Sequence, residues 1–423
     1  MTNADEPSGP PGAASDVRPR SPDVALVGYG ELGTKSSEVR SRMAERLREH
    51  CAALLAARGV DGEVERRWAR LVVRTPDPDA AARAVADAFG AVWARPAIAC
   101  EPTEAAIVDA LVALAERRPT DGEGAEDGGT ADGGPDPAPF AIRANRAGEH
   151  PFAARDLKVA GGRAIQAATG APVDLDDPAV VYRVDCRAST AFVSAVQYDG
   201  PGGLPLGTQG RVVALVSGGI DSPVAAYETM RRGCEVQPVY VGLGDYGGPD
   251  HEARAVETVR RLSRYAPGSD LRLRVVDAGD LVADLVERVD DTRMLSLRRA
   301  MVTIAATLAA DAEAHAVVTG EVLGQKSSQT GPNLAVTDGA VDLPIHRPLL
   351  TRDKADVTAQ ARRIGTYDDS TLPVGCDRVA PTHPATNATL EAVLAAEPDD
   401  LLVRAERSAR ERCRVVSLDR SDE

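Results

Sequence analysis

Apolar positions along the chain recur with two periods, one of strands and one of helices. Val24-Ala-Leu-Val27 predicts a short strand ended by the turn Gly28-Tyr29-Gly30. Val39, Met43 and Leu47 then follow a helical spacing, with Ser36 or Ser37 at the helix start. Arg70-Leu-Val-Val-Arg74 reads as a strand, and 77–89 as a helix closed by Gly90. This alternation predicts a small α+β domain over 23–100, after a Pro- and Gly-rich tail at 1–22. A second α/β domain is expected over 101–200. It opens with an amphipathic helix at 103–117, and then holds strands at 140–143, 180–186 and 190–196 and a helix near 161–169. The stretch 119–138 interrupts it with acidic residues and glycines and without Lys or Arg, the composition of a flexible insertion.

A turn-rich connector, Pro201 to Gly207, leads into a third region with a different pattern. Arg211-Val-Val-Ala-Leu-Val216 is continuously apolar, as a strand covered on both faces must be. Helical and strand patterns then alternate: 223–232, 235–241, 271–276, 294–310 and 316–319. The fold class is therefore α/β, with a doubly wound parallel sheet over 207–395 behind the two smaller domains. The last stretch, 396–423, is rich in Arg, Glu and Asp and predicts a helix with a frayed end, carrying Cys413.

Composition narrows the class. Hydrophobic residues make up 43% and charged residues 27% of the 423 positions, as in soluble proteins. No apolar run approaches the length of a membrane span, and the polar N-terminus lacks a signal-peptide core, so a cytoplasmic protein is expected. The net charge is −15, and only four of the 49 basic residues are lysines. Such a charge opposes RNA unless a locally basic face is built, and concentrated salt screens the repulsion. The six cysteines form no CxxC and stand beside no histidine pair, which excludes structural zinc and a disulfide framework. No metal-ligand set is read among the six histidines.

Chemistry concentrates in Ser217-Gly-Gly-Ile-Asp-Ser222, which follows the buried strand and opens a helix. Gly218 and Gly219 let backbone approach an anion, and the helix start points free N–H groups at it. Ser217 and Ser222 add hydroxyl donors. The spacing is neither that of a Walker A loop nor GxGxxG. Asp221 beside phosphates fits a carboxylate that holds Mg²⁺, although a helix cap is the plainer reading. The loop is similar to the pyrophosphate-binding loop of the ATP pyrophosphatases.

The similarity extends further. Gly203-Leu-Pro-Leu-Gly207 with the SGGIDS loop, Gly28-Tyr-Gly-Glu31 with Lys35, Ala88-Phe-Gly90, and Thr319-Gly-Glu-Val-Leu-Gly-Gln-Lys-Ser-Ser-Gln-Thr330 resemble the tRNA 4-thiouridine synthetases, the ThiI family. Arg347-Pro-Leu-Leu350, Asp353-Lys354 and Ile364-Gly-Thr-Tyr367 continue the match. Phe140 to Phe152 and Val173 to Pro178 resemble its THUMP RNA-binding domain. The resemblance implies a ferredoxin-like N-terminal domain, a THUMP domain and an ATP-pyrophosphatase domain. It implies an enzyme that adenylates O4 of uridine 8 in tRNA and replaces that oxygen with sulfur. ATP and Mg²⁺ are the implied cofactors. Leu215, Val216, Tyr240, Val241, Arg298, Gly320 and Gln329 occupy the family's further ATP positions, and Cys376 the position of its sulfur-handling thiol.

Two departures stand out. Gly28 replaces the family's usual Arg, and the 45 or so residues after Cys376 leave no room for the rhodanese domain some members carry. Sulfur is thus expected from an external persulfide or sulfide donor. Candidate tRNA contacts are Lys35, Arg143, Arg146 and Lys158, with Arg155 and Arg163 beside them, because phosphates favour Lys and Arg. The family also implies a homodimer in which one protomer holds the tRNA that the other modifies. Rival readings are sulfur supply for the thiamine thiazole, and a tRNA-binding protein with an inactive loop.

Overall fold

The structure, a computed structural model, describes residues 21–31, 36–67, 70–117, 137–247, 249–370 and 379–418. In chain order the elements are β1 (Val24–Tyr29), α1 (Ser37–Ala57), β2 (Glu63–Arg67), β3 (Arg70–Arg74), α2 (Pro78–Ala86), β4 (Ala91–Cys100), α3 (Glu104–Glu116), β5 (Phe140–Arg146), α4 (Ala154–Thr169), β6 (Val180–Cys186), β7 (Ala191–Ser194), β8 (Tyr198–Asp199), β9 (Arg211–Leu215), α5 (Asp221–Arg231), β10 (Glu235–Gly242), α6 (Pro249–Ser263), β11 (Leu273–Asp277), α7 (Gly279–Arg288), α8 (Arg293–Asp311), β12 (Val317–Val318), α9 (Gly331–Asp338), β13 (Ile345–His346), α10 (Lys354–Arg363), α11 (Tyr367–Ser370), α12 (Leu390–Ala396), α13 (Leu401–Glu411) and β14 (Cys413–Val416). The chain divides into two compact units. One contains residues up to 26, 74–79 and 95–197, and the other 27–73, 80–94 and 198 onward.

In the first unit, β5 pairs parallel with β6, β6 antiparallel with β7, and β7 antiparallel with the end of β4. Thr103 caps α3 by accepting from Ala106 N–H at 3.3 Å. Helices α3 and α4 close on this sheet around Ile107, Leu111, Phe140, Leu157 and Val184. They approach so nearly that a Cβ on Gly161 would stand 2.6 Å from Leu111.

Strand order β2-β3-β1-β4, with β8 also on β4, is that of the sheet of the ferredoxin-like domain. Strand β2 was not visible in the sequence, because Glu63-Val-Glu-Arg-Arg67 holds a single apolar residue, Val64. The remainder is a six-stranded sheet of order β13-β12-β9-β10-β11-β14. The pairs among its first five strands are parallel. The run at β9 is continuously apolar because its alternate residues serve two cores. Val212, Ala214 and Val216 pack under α5, α6 and α10. Val213 and Leu215 pack under α7, α8 and α13. Each buried Val or Leu contributes about 1.5–3 kcal/mol, which fixes the sheet that carries the loop.

The C-terminal expectation needs correction. After α13 the chain does not fray at once, because β14 adds to the sheet edge antiparallel to β11, and Cys413 stands opposite Val276 in that strand. The helix expected at 223–232 starts at Asp221, so the acidic residue is its first turn.

The ferredoxin-like part is anchored in the layers around the six-stranded sheet by its Ala88-Phe-Gly90 turn. Phe89 is fully buried in the same core as Val212 and Tyr227, and meets the Tyr227 ring edge-on at 5.2 Å between centroids. Gly90, at φ +102°, leaves room for Pro205 of the connector. Gly203, at φ +77°, lies against the Arg231 carbonyl, where a Cβ would come within 2.1 Å. Glu31 receives both outer nitrogens of Arg232, at 2.8 and 3.1 Å, at the far end of α5.

Candidate functional site

Strand β9 delivers the chain to the carboxyl edge of the parallel sheet, where open α/β sheets bind ligands. Val216 is buried, and its N–H donates to Val239 O at 2.8 Å, which seats the loop beside β10. The two serines brace the loop. Ser217 N–H donates to Ser222 Oγ (2.8 Å), the two hydroxyls are 3.1 Å apart, and Gly219 N–H donates to Ser217 Oγ (3.3 Å). In this structure they therefore hold the loop's shape, where the sequence pointed to outward donors. Leu215 packs with Val241 in one core beside the loop, and Tyr240 lies in the opposite core.

Gly320 explains itself by distance. A Cβ there would stand 2.7 Å from Ser222 N and 2.8 Å from Asp221 C. The end of β12 thus abuts the start of α5, and only glycine permits it. Gly218 is likewise hemmed in, with the Arg254 stem 2.8 Å from the place of its Cβ.

Asp221 is held from both sides. Lys354 Nζ lies 2.6 Å from one carboxylate oxygen, and Gln325 Nε2 donates to the other at 2.9 Å. Lys354 comes from the first turn of α10, which packs on α5. Sequence reading placed Lys354 in a matching motif but assigned it no role. The signal was there: it is one of four lysines, directly after the helix-capping position Asp353.

Arg298 and Gln329 are brought together, within a buried polar network. Arg298 donates to Glu321 (2.6 Å) and to Ser328 Oγ (3.0 Å). The Gln329 amide, turned to satisfy both its atoms, accepts from Arg298 at 3.1 Å and donates to Val322 O at 2.8 Å. Glu321, 3% exposed, also accepts from Arg347 (2.6 Å) and Thr319 (2.9 Å). Burial alone would raise its carboxyl. The charges of Arg298 and Arg347, with hydrogen bonds from Arg347 and Thr319, outweigh that and hold it below the usual value.

Among the described residues, no group of three or more His, Cys, Asp or Glu is placed to hold a metal. A single carboxylate at a phosphate loop still suits Mg²⁺, which takes most of its ligands from phosphates and water. Lys35 and Cys376 lie outside the described residues, as does most of the acidic stretch 119–138. The five described cysteines are free thiols. Burial raises Cys51, to about 12, and also Cys186, Cys234 and Cys413.

In the first unit, Arg155, Lys158 and Arg163 are exposed along α4, and Arg143 and Arg146 are exposed on β5. Arg146 turns back onto the Gly148 and His150 carbonyls, at 3.3 and 3.4 Å. Gly28 has a steric reason in the second unit: a Cβ there would meet the Trp93 ring at 2.2 Å. The Arg70 guanidinium lies over that ring, 4.8 Å from its centroid. No helix among the described residues is long and apolar enough to cross a membrane.

Fold and loop together define a nucleotide-dependent α/β enzyme of the ATP-pyrophosphatase class. Family models agree: a ferredoxin-like ThiI domain matches residues 24–94, a THUMP domain 125–196, and the thiamine biosynthesis protein ThiI 207–401. A probable tRNA sulfurtransferase of Halobacterium salinarum is 51% identical over 396 residues, covering 93% of this chain and 95% of the relative. One from Methanothermobacter thermautotrophicus is 34% identical, covering 88% and 92%. The chain belongs to the tRNA sulfurtransferase family. Its structure is similar to a 4-thiouridine synthetase crystallised with RNA and ATP, with a TM-score of 0.79 and 26% identity over 93% of this chain and all of that one.

Proposed function

We propose that this enzyme thiolates tRNA at the expense of ATP, adenylating O4 of a uridine, position 8 in the family, and exchanging that oxygen for sulfur. The observation that carries the reading is the braced Ser217–Ser222 loop at the sheet's carboxyl edge, with Asp221 engaged by Lys354 and Gln325. Backbone N–H groups at the start of α5 favour the β,γ-phosphates, and Lys354 is within a side-chain swing of them. Mg²⁺ would be held by Asp221 together with phosphate oxygens and would offset phosphate charge. Attack of the uracil oxygen on the α-phosphorus expels pyrophosphate and leaves an adenylate, whose carbon 4 then accepts a sulfur nucleophile as the C4–O bond breaks and AMP leaves.

Cys376 is the proposed carrier of that sulfur, as a persulfide loaded by an external donor, and a second thiol, by forming a disulfide with Cys376, breaks the S–S bond and frees the transferred sulfur. The basic residues of α4 and β5 are the proposed phosphate contacts to tRNA. The test is thiolation of an unmodified tRNA transcript with ATP, Mg²⁺ and sulfide in concentrated salt. Wild type forms 4-thiouridine and Asp221→Ala does not. Cys376→Ala retains activity with free sulfide if the thiol only delivers sulfur, and loses it if the thiol acts directly. A wild type inert with every donor refutes the reading.

A further inference from the structure

Arg254 is a long cation that α6 lays on Gly218 of the phosphate loop. Its stem covers Gly218 so closely that a Cβ there would stand 2.8 Å from Arg254 Cβ and 3.4 Å from Cδ. Helix α6 leaves the sheet just after β10, so its N-terminal end lies at the carboxyl edge, where the loop is. Helical side chains lean toward the N-terminus, and Arg254 does so, its Nε donating to Asp250 O at 3.3 Å. The guanidinium is thus carried toward the ligand edge of the sheet. Helix α5 packs on both α6 and α10. The loop before it is therefore served by Arg254 from one neighbouring helix and by Lys354 from the other.

We propose that Arg254 binds the β,γ-phosphates of ATP and the departing pyrophosphate. The assignment rests on the ATP reading of the loop. A guanidinium matches two phosphate oxygens at once, which an ammonium cannot. When the α–β bridging bond breaks, charge collects on the pyrophosphate, and a cation whose stem rests on Gly218 at the ligand edge of the sheet stabilises that product more than it does AMP.

The discriminating experiment is calorimetric titration of the full chain with ATP, inorganic pyrophosphate and AMP, each with Mg²⁺ in concentrated salt. Arg254→Met keeps methylenes over Gly218 and removes the charge, so the loop retains its cover. The expected result is about a tenfold or greater loss of affinity for ATP and pyrophosphate, because a charge-assisted hydrogen bond is lost. AMP affinity stays near that of wild type, and Arg254→Lys recovers part of the loss. Unchanged pyrophosphate affinity in Arg254→Met overturns the assignment. So does an equal loss for AMP, or a melting temperature lowered along with all three affinities, since either marks Arg254 as a loop support. A wild type that binds none of the three overturns the ATP reading itself, and this assignment with it.

Discussion

At Gly320, one added methyl group has nowhere to go, because the backbone of Asp221 and Ser222 already stands at 2.7–2.8 Å. Gly320→Ala must push β12 away from α5, at a cost of about 1–3 kcal/mol for overpacking. It is expected to weaken ATP binding more than tRNA binding, which titrations with each ligand would separate. Lys354→Gln removes the cation beside Asp221 while keeping a polar side chain. Its kcat/KM for ATP should fall about 10- to 100-fold, or about 1.4–2.8 kcal/mol in the barrier; steady-state pyrophosphate release measures it.

His50 carries a pH prediction of its own. Its Nε2–H donates to Tyr265 O at 2.8 Å, so Nδ1 is an acceptor, and that buried atom has no hydrogen-bond partner among the described residues. Burial pushes the imidazole down to about 4. The unfolded chain then binds the proton more readily than the folded one between about pH 6.5 and 4. The stability held above that window is therefore lost as pH falls through it, about 2–3 kcal/mol by pH 4.5. His50→Gln keeps a donor for Tyr265 but cannot titrate. Denaturant unfolding at pH 7 and 4.5 should show a smaller acid loss in the variant than in wild type.

Among the elements, α5 has the most to hold. Its first turn presents Asp221, its middle packs Tyr227 on Phe89, and its end meets Glu31 through Arg232. The Phe89 turn and the connector glycines are therefore a joint between the ferredoxin-like sheet and the helix that opens at the phosphate loop. The Glu31–Arg232 pair is half-exposed, so it contributes little on its own, whereas Phe89 is fully buried. Phe89→Ala leaves a cavity worth about 3–5 kcal/mol. A scanning-calorimetry melt should show a large drop in Tm, while Glu31→Gln should move it little.

For the whole molecule, the charge of −15 sets opposite salt responses. Self-repulsion weakens as the Debye length shrinks from about 10 Å at 0.1 M to about 3 Å at 1 M. Stability should thus rise with KCl over that range, as read by the urea midpoint. The phosphate contacts proposed on a locally basic face respond the other way, and the logarithm of tRNA affinity should fall linearly with log salt. A protein that gains stability while losing RNA affinity along one salt series would display both terms.

Much of this was legible in the chain because local physics decides it. Continuous apolarity at Val212–Val216 required two covering layers, and two glycines between that strand and a helix pointed to an anion loop. The edge strand β2 escaped notice because Val64 is its one apolar residue, and β14 because its four residues follow directly on a helix and are set in a strand by pairing with β11. Period and composition also could not show that Lys354, 133 positions from Asp221, stands 2.6 Å away, or that Arg298 spends its charge on Glu321. Nor could they show that Trp93 occupies the space a side chain at position 28 would need. The sequence by itself determined most of the longer elements, the strand–loop–helix motif and the family resemblance, since these depend on residues close together in the chain. Tertiary structure alone decided which distant side chains meet at the loop, because burial and charge pairing act between elements that only folding brings together.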